Sequence, residues 1–242
     1  MNNVFAKTIQ IPPPEGRKRS LGFTLAEVLL ALTIVGVVSS LTVSALMNSV
    51  AQSQYNSGVW QAENMLSQAV EQLQANNGIV HAGTNIGFTL AGDNVFRNDF
   101  CNVLQCVRMD IASNLYSGNP LSYKSASAAG DGFLLNSTGI AGAILSNDIY
   151  LSFASDASCT GWGMNECGII GVDINGPNQG PNMFGEDVYL FAVVLNNGIY
   201  SILPDGAPND GLASSGRGAA CAIGQEGLGC TYQRLYNPNG MP

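Results

Sequence analysis

The stretch that most limits this chain is residues 23–47, twenty-five residues with a single charge, Glu27. About 20 apolar residues rising 1.5 Å each span the roughly 30 Å hydrocarbon core of a bilayer. A secretory signal core is shorter, about 7–15 residues. The run therefore predicts a membrane-crossing helix rather than an ordinary export signal. Gly36, Ser39, Ser40 and Ser44 are small, and small residues allow helices to approach closely in lipid.

The flanks orient it. Residues 1–22 carry four bases (Lys7, Arg17, Lys18, Arg19) and one acid, Glu15. Of the chain's nine bases and seventeen acids, that leaves five and sixteen for the remainder. The positive-inside rule places the basic leader in the cytoplasm and the acidic body outside. Three prolines, Pro12 to Pro14, preclude a stable helix in the leader. An acidic body repels phosphate backbones, which excludes general nucleic-acid binding.

Past the apolar run the helix is expected to continue to residue 76. Val59, Ala62, Leu66, Val70 and Leu73 recur at spacings of three and four, so they share one helical face. Asn76-Asn77-Gly78 is a stop signal. Gly58 weakens the helix locally, by about 1 kcal/mol relative to Ala. The remainder reads as loop and strand, with strands expected at 141–145, 149–153, 168–174, 188–195 and 199–203. Asn196-Asn197-Gly198 joins the last two as a hairpin. The expected fold is α+β: a long N-terminal helix packed on a small antiparallel sheet. The divisions are 1–22 leader, 23–76 helix with its membrane part at about 23–47, and 77–242 extracytoplasmic head.

Six cysteines, Cys101, Cys106, Cys159, Cys167, Cys221 and Cys230, all follow the apolar run. An even number in an exported domain favours disulfides. Proximity pairs them 101–106, 159–167 and 221–230, since short loops lose little closure entropy. Free thiols are the first alternative and a structural metal the weakest. No C-x-x-C occurs, and the one histidine, His81, is distant.

Glu27 is the odd residue. A carboxylate inside a membrane helix costs a few kcal/mol and usually has a partner. No base lies in the run. Cutting the chain after Gly22 would create an α-amino group on Phe23 that can pair with Glu27 of a neighbouring helix. Glu27 would then also sit in the first turn, where negative charge is favoured.

Gly22-Phe23-Thr24-Leu25-Ala26-Glu27 and the apolar run behind it resemble the prepilin-type cleavage and methylation segment of type IV pilins and type II secretion pseudopilins. The resemblance covers Arg17 to about Met47. It implies that a prepilin peptidase cuts after Gly22 and methylates the Phe23 amine. It also implies that Glu27 guides docking into a filament of like subunits, built on an inner-membrane assembly platform. The subunit would wait as a single-pass inner-membrane protein and end in a periplasmic or cell-surface filament. Such a function is structural, not enzymatic. The alternative is a membrane-anchored surface adhesin or ligand-binding module.

A second motif runs from Cys167 to Asp187 and is similar to a strand-loop-strand segment, DxNG followed by PN and GxD, seen in pilin-like proteins of the type II secretion kind. Asp173, Asn175, Asn182 and Asp187 supply oxygens suited to Ca²⁺. A turn built from Asx hydrogen bonds and glycine freedom is the preferred reading, because the full calcium-loop pattern is missing. Trp60 and Trp162 read as packing residues. Ser152, Ser155 and Ser158 lack a nucleophile context and a histidine partner.

Overall fold

The structure is a computed structural model that describes residues 23–76, 93–118, 120–121, 133–156, 159, 165–207, 221, 227–238 and 241. The elements in chain order are α1 (Leu25–Asn76), α2 (Asp93–Leu104), β1 (Arg108–Ile111), α3 (Ala112–Leu115), α4 (Phe133–Asn136), β2 (Ala141–Ile144), β3 (Tyr150–Ser155), β4 (Glu166–Asp173), β5 (Val188–Asn196), β6 (Ile199–Pro204) and α5 (Cys230–Tyr236). The six strands form one antiparallel sheet in sequence order. The chain is thus α+β, as expected. It divides into two compact units, Met1–Asn48 and Ser49–Pro242.

In the first unit, α1 is apolar on every side. Residues Leu25–Val43 have a mean hydropathy of 2.1 and no buried positions. They are long and apolar enough to cross a membrane.

In the second unit, α1 becomes amphipathic. Val59, Ala62, Leu66, Val70 and Leu73 are buried, joined by Ala69. They share a core with Phe96 and Phe100 of α2 and with the sheet residues Leu151, Phe153, Ile170, Val172, Tyr189, Phe191 and Val193. Alternate residues of the same strands, Tyr150, Ala154, Ile169, Val188 and Leu190, point to the opposite face. There they meet Ala112 and Leu115 of α3, Leu135 of α4, Tyr116, Phe184 and Leu228. The strand period of two therefore feeds two cores; β4 is buried throughout, as are β3 up to Ala154 and β5 up to Val194.

Local chemistry explains the turns and edges. Asn197 and Gly198 both have positive φ, 51° and 82°, and Asn196 pairs with Ile199 across them. This is the left-handed pair a two-residue hairpin requires. Gln74 of α1 covers the open edge of β6. Its amide nitrogen donates to the Tyr200 carbonyl at 2.9 Å, and its oxygen accepts the Tyr200 N–H at 3.0 Å. At Tyr200 the edge is thus already paired by a side chain.

The disulfides are Cys101–Cys106, Cys159–Cys167 and Cys221–Cys230. They are the neighbour pairs expected from proximity. Each fastens the end of an element (α2, β4 and α5) to the loop beside it.

Five of the described elements were not expected from the sequence: α2, β1, α3, α4 and α5. α2 forms because Phe96 and Phe100, one turn apart, pack edge-on against each other at 5.1 Å, with Phe96 also 5.4 Å from Phe153. β1 forms by pairing with β2. α5 is tied to β5 where Leu190 N–H donates to Thr231 Oγ1 at 3.0 Å.

Gly58 is not simply a weak point of α1. A Cβ there would lie 2.4 Å from Ile174 Cδ1, so the missing side chain admits the loop after β4. We expect Gly58→Val to lower the thermal midpoint of the leader-free protein in detergent, through an overpacking cost of about 1–3 kcal/mol. Adding Ile174→Ala is expected to recover most of the loss. A midpoint unchanged in Gly58→Val would refute the close contact.

Candidate functional site

The β4–β5 connection is a folded loop, not an open turn. Asp173 ends β4 opposite Val188, the first residue of β5. The Asp173 carboxylate is fully buried, and its Oδ1 accepts the Asn175 and Gly176 N–H groups at 3.2 and 2.8 Å. Gly176 takes a positive φ of 82° and passes so close to the Asp148 carbonyl that a Cβ would lie 2.4 Å away. Only glycine fits there. Asp187 is also fully buried and takes the N–H of Asn182 on Oδ2 at 2.8 Å and that of Met183 on Oδ1 at 2.6 Å.

The two asparagines turn their nitrogens outward. Asn175 Nδ2 donates to the Gly180 carbonyl at 3.3 Å, and Asn182 Nδ2 to the Pro177 carbonyl at 3.2 Å. Their side-chain oxygens, with Asp173 Oδ2, are buried and accept no hydrogen bond. A buried unsatisfied polar atom costs about 1–3 kcal/mol. The Tyr116 hydroxyl, buried and without a partner at hydrogen-bond distance, lies near enough to Asp173 to offset part of the rise in that carboxyl's pKa.

The electrostatics follow from burial. Desolvation first, and the neighbouring Asp187 charge second, push Asp173 up to about 7. Burial also raises Asp187, while the Met183 and Asn182 N–H groups and the Asn175 side chain pull it back. Asp173, Asn175, Asn182 and Asp187 thus form one cluster. Among the described residues no three or more His, Cys, Asp or Glu side chains gather in a metal-holding group. This cluster has two carboxylates, and its other oxygens are amides.

The start of α1 has its own geometry. Thr24 precedes the first helical residue, and Glu27 is the third residue inside. Glu27 Oε2 accepts the Thr24 N–H at 2.8 Å and the Thr24 hydroxyl at 2.9 Å. Thr24 Oγ1 faces the Glu27 N–H at 3.2 Å. This is a reciprocal capping box, in which each side chain satisfies the other's orphan N–H. Phe23, just ahead of it, is 85% exposed.

Residues 17–43 match the family model for the prokaryotic N-terminal methylation motif. The chain carries that motif, the signature of type IV pilin-like proteins processed from prepilins. The match ends at Val43, where the apolar span also ends. The matched residues make up 27 of the 242 residues of the chain and cover the start of α1 alone. No curated protein and no solved structure matches the chain. The 173–187 loop lies outside the matched residues, so its chemistry rests on its own geometry.

Gly22 lies outside the described residues, as do His81, Ser158 and Trp162. Trp60 is partly exposed and packs edge-on against Tyr236 at 5.6 Å. Ser152 is buried, and the Ser155 hydroxyl donates to Asp93 at 2.8 Å. Two site residues escaped the sequence reading. Thr24 was legible, since T-x-x-E before an apolar run is a capping signature. Tyr116 carried no signal, because only the fold brings it to Asp173.

Asp187 holds two N–H groups of its own loop, each bond to a charged acceptor worth about 1.5–3 kcal/mol. Asp187→Ala is expected to lower stability by several kcal/mol in urea unfolding, well beyond the loss in Asn175→Ala. Equal losses in the two variants would show that Asp187 does not organise the loop.

Proposed function

We propose that this chain is a structural subunit of a type IV pilus or a type II secretion pseudopilus, cut after Gly22 and N-methylated on Phe23. Before assembly it sits in the inner membrane with residues 1–22 cytoplasmic. The assembly platform then draws it into a filament held together by its apolar helix.

The observation that carries this reading is the conjunction at the start of α1: a single carboxylate in the first turn of a span with no buried residue. A span exposed on all sides requires lipid or other helices around it. In lipid the capping box gives Glu27 a local partner. In a filament the Phe23 amine of a neighbour supplies the opposite charge, and pairing offsets both desolvation costs.

The capping box sharpens the test. Glu27→Ala is expected to be cleaved normally, since removing a charge does not impair insertion. It is expected to leave the neighbouring amine unpaired at a cost of several kcal/mol, so little of it enters filaments. Glu27→Gln keeps the shape and loses the charge, and is expected to fail similarly. Thr24→Ala weakens the cap by about 1 kcal/mol but keeps the carboxylate, so it is expected to assemble close to normally. The measurement is the ratio of sheared-filament to membrane-retained subunit in a strain lacking the native copy, at constant cleaved protein. Wild-type ratios for Glu27→Ala would eliminate the ion pair. A defect equal in Thr24→Ala would assign Glu27 to capping alone.

In the same preparations the intact mass of the subunit is expected to correspond to a chain starting at methylated Phe23. Gly22→Val is expected to accumulate full-length precursor. A leader still attached in mature filaments would overturn the processing assignment.

A further inference from the structure

We infer that the heads of two copies of this chain dock through unlike surfaces, β1 (Arg108–Ile111) of one copy seating against an aromatic corner, Trp60, Tyr232 and Tyr236, of the next. The inference deepens the filament reading, on which it rests, by naming a contact outside the apolar span.

The first argument is where apolar surface stays exposed. Among the described residues beyond Val50, the exposed large apolar side chains are Trp60, Val107, Met109, Ile111, Ile199 and Tyr236. All but Ile199 fall into two groups. Trp60 and Tyr236 pack edge-on at 5.6 Å, and Tyr232 lies 5.0 Å from Tyr236. The Tyr236 hydroxyl donates to Glu63 Oε1 at 2.8 Å, so a carboxylate holds the corner in one arrangement. Val107, Met109 and Ile111 lie in or beside β1. That strand ends the sheet and, among the described strands, pairs with β2 alone.

The second argument is charge. Residues 23–242 carry five bases and sixteen acids. The described bases among them are Arg97, Arg108 and Arg234, and Arg234 is buried. The other two gather at β1: Arg108 is its first residue, and Arg97 Nη1 donates to the Asp110 carbonyl at 3.1 Å. Asp110 is the one acid of the strand, so β1 is a positive edge on an acidic body. The aromatic corner carries Glu63. A guanidinium suits that corner twice, pairing with the carboxylate and lying over an aromatic ring. Met109 adds a sulfur that packs favourably on such rings. Trp, Tyr, Met and Arg are the side chains enriched at protein interfaces.

The two surfaces lie apart on one chain. α5 is tied to β5, and β1 is four strands from β5, roughly 19 Å at about 4.8 Å per strand. α1 stands between them. Its Met65 and Gln72 line a groove with Val103 and Leu104 of α2, on a flank turned about 120–140° from Trp60 around the helix. A surface that fits a different surface of the same molecule makes a heterologous contact. Such a contact repeats from copy to copy and builds an open filament where the rotation does not close.

The test places a photo-crosslinking amino acid at Asn64, which is exposed and one turn from Trp60, in the full chain expressed in a strain lacking the native copy. Irradiation of intact cells is expected to join that position to residues 107–111 of a second copy, as read by peptide mass spectrometry. Arg108→Glu and Glu63→Arg are each expected to lower the yield at least fivefold. Combined in one chain they are expected to recover most of it, because every contact then holds the same pair with its charges exchanged. Should Glu63→Arg fail to fold, Met109→Ala on the exposed strand gives a second measurement, again with a lower yield expected. No crosslink between copies overturns the contact, and the sheared-filament yield of the same cells shows separately whether the filament reading stands. A crosslink only to a different protein, or a yield that none of the folded variants moves, also overturns the contact.

Discussion

The structure depends on α1 meeting two different environments along one continuous helix. Its first part has no polar face and, apart from Glu27, no charge, so water cannot solvate it well. Its second part keeps a single apolar stripe, Val59 to Leu73, and that stripe is matched to a sheet. Burying each large side chain of the stripe is worth about 1.5–3 kcal/mol. Ala62 and Ala69 add little area, but their small size brings the helix close to the aromatic side chains of the sheet. Gly58 extends the same logic to the loop after β4, where no Cβ fits without moving Ile174.

The parts of this fold that were legible share one property: their signal is local. The stripe of α1 shows in spacings of three and four. Five strands show in their apolar runs, and the β5–β6 hairpin shows in Asn197-Gly198. What was missed depends on distant partners. In α2, Asp93, Asn94, Asn98, Asp99 and Asn102 are poor helix formers. The helix exists because Phe96 and Phe100 find Phe153. β1 is four largely exposed residues that become a strand only beside β2. α5 is seven residues long, too short to persist alone.

The candidate loop divides in the same way. Its composition advertised a turn rich in oxygen, and the four residues singled out do come together. Composition could not reveal burial. An Asx turn on a wet surface and one packed into the interior have the same sequence, yet only the second buries side-chain oxygens that no protein group donates to. The difference arises because β4 and β5 are central strands, with their ends covered from both faces.

Arg234 shows how the loop is joined to its surroundings. It is 2% exposed, and such burial of a cation is costly unless its donors are used. Nε and Nη2 converge on the Gly185 carbonyl at 3.0 and 2.6 Å, and Nη1 reaches Gln52 at 2.5 Å and Asn56 at 3.3 Å. One planar fork thus links α5, the end of the 173–187 loop and the second part of α1. Lysine would bring an equal charge but no planar fork, so it could not grip one carbonyl twice while reaching the helix. The same cation lies near enough to Tyr189 to act on it alongside Asp187. Burial and the Asp187 charge raise the Asp173 carboxyl, whereas the Met183 and Asn182 N–H groups hold Asp187 down against its own burial. The two aspartates consequently have different roles. Asp187 spends both oxygens on the loop backbone and is the structural member of the pair. Asp173 spends one oxygen on the loop backbone, and its carboxyl also feels the Tyr116 hydroxyl.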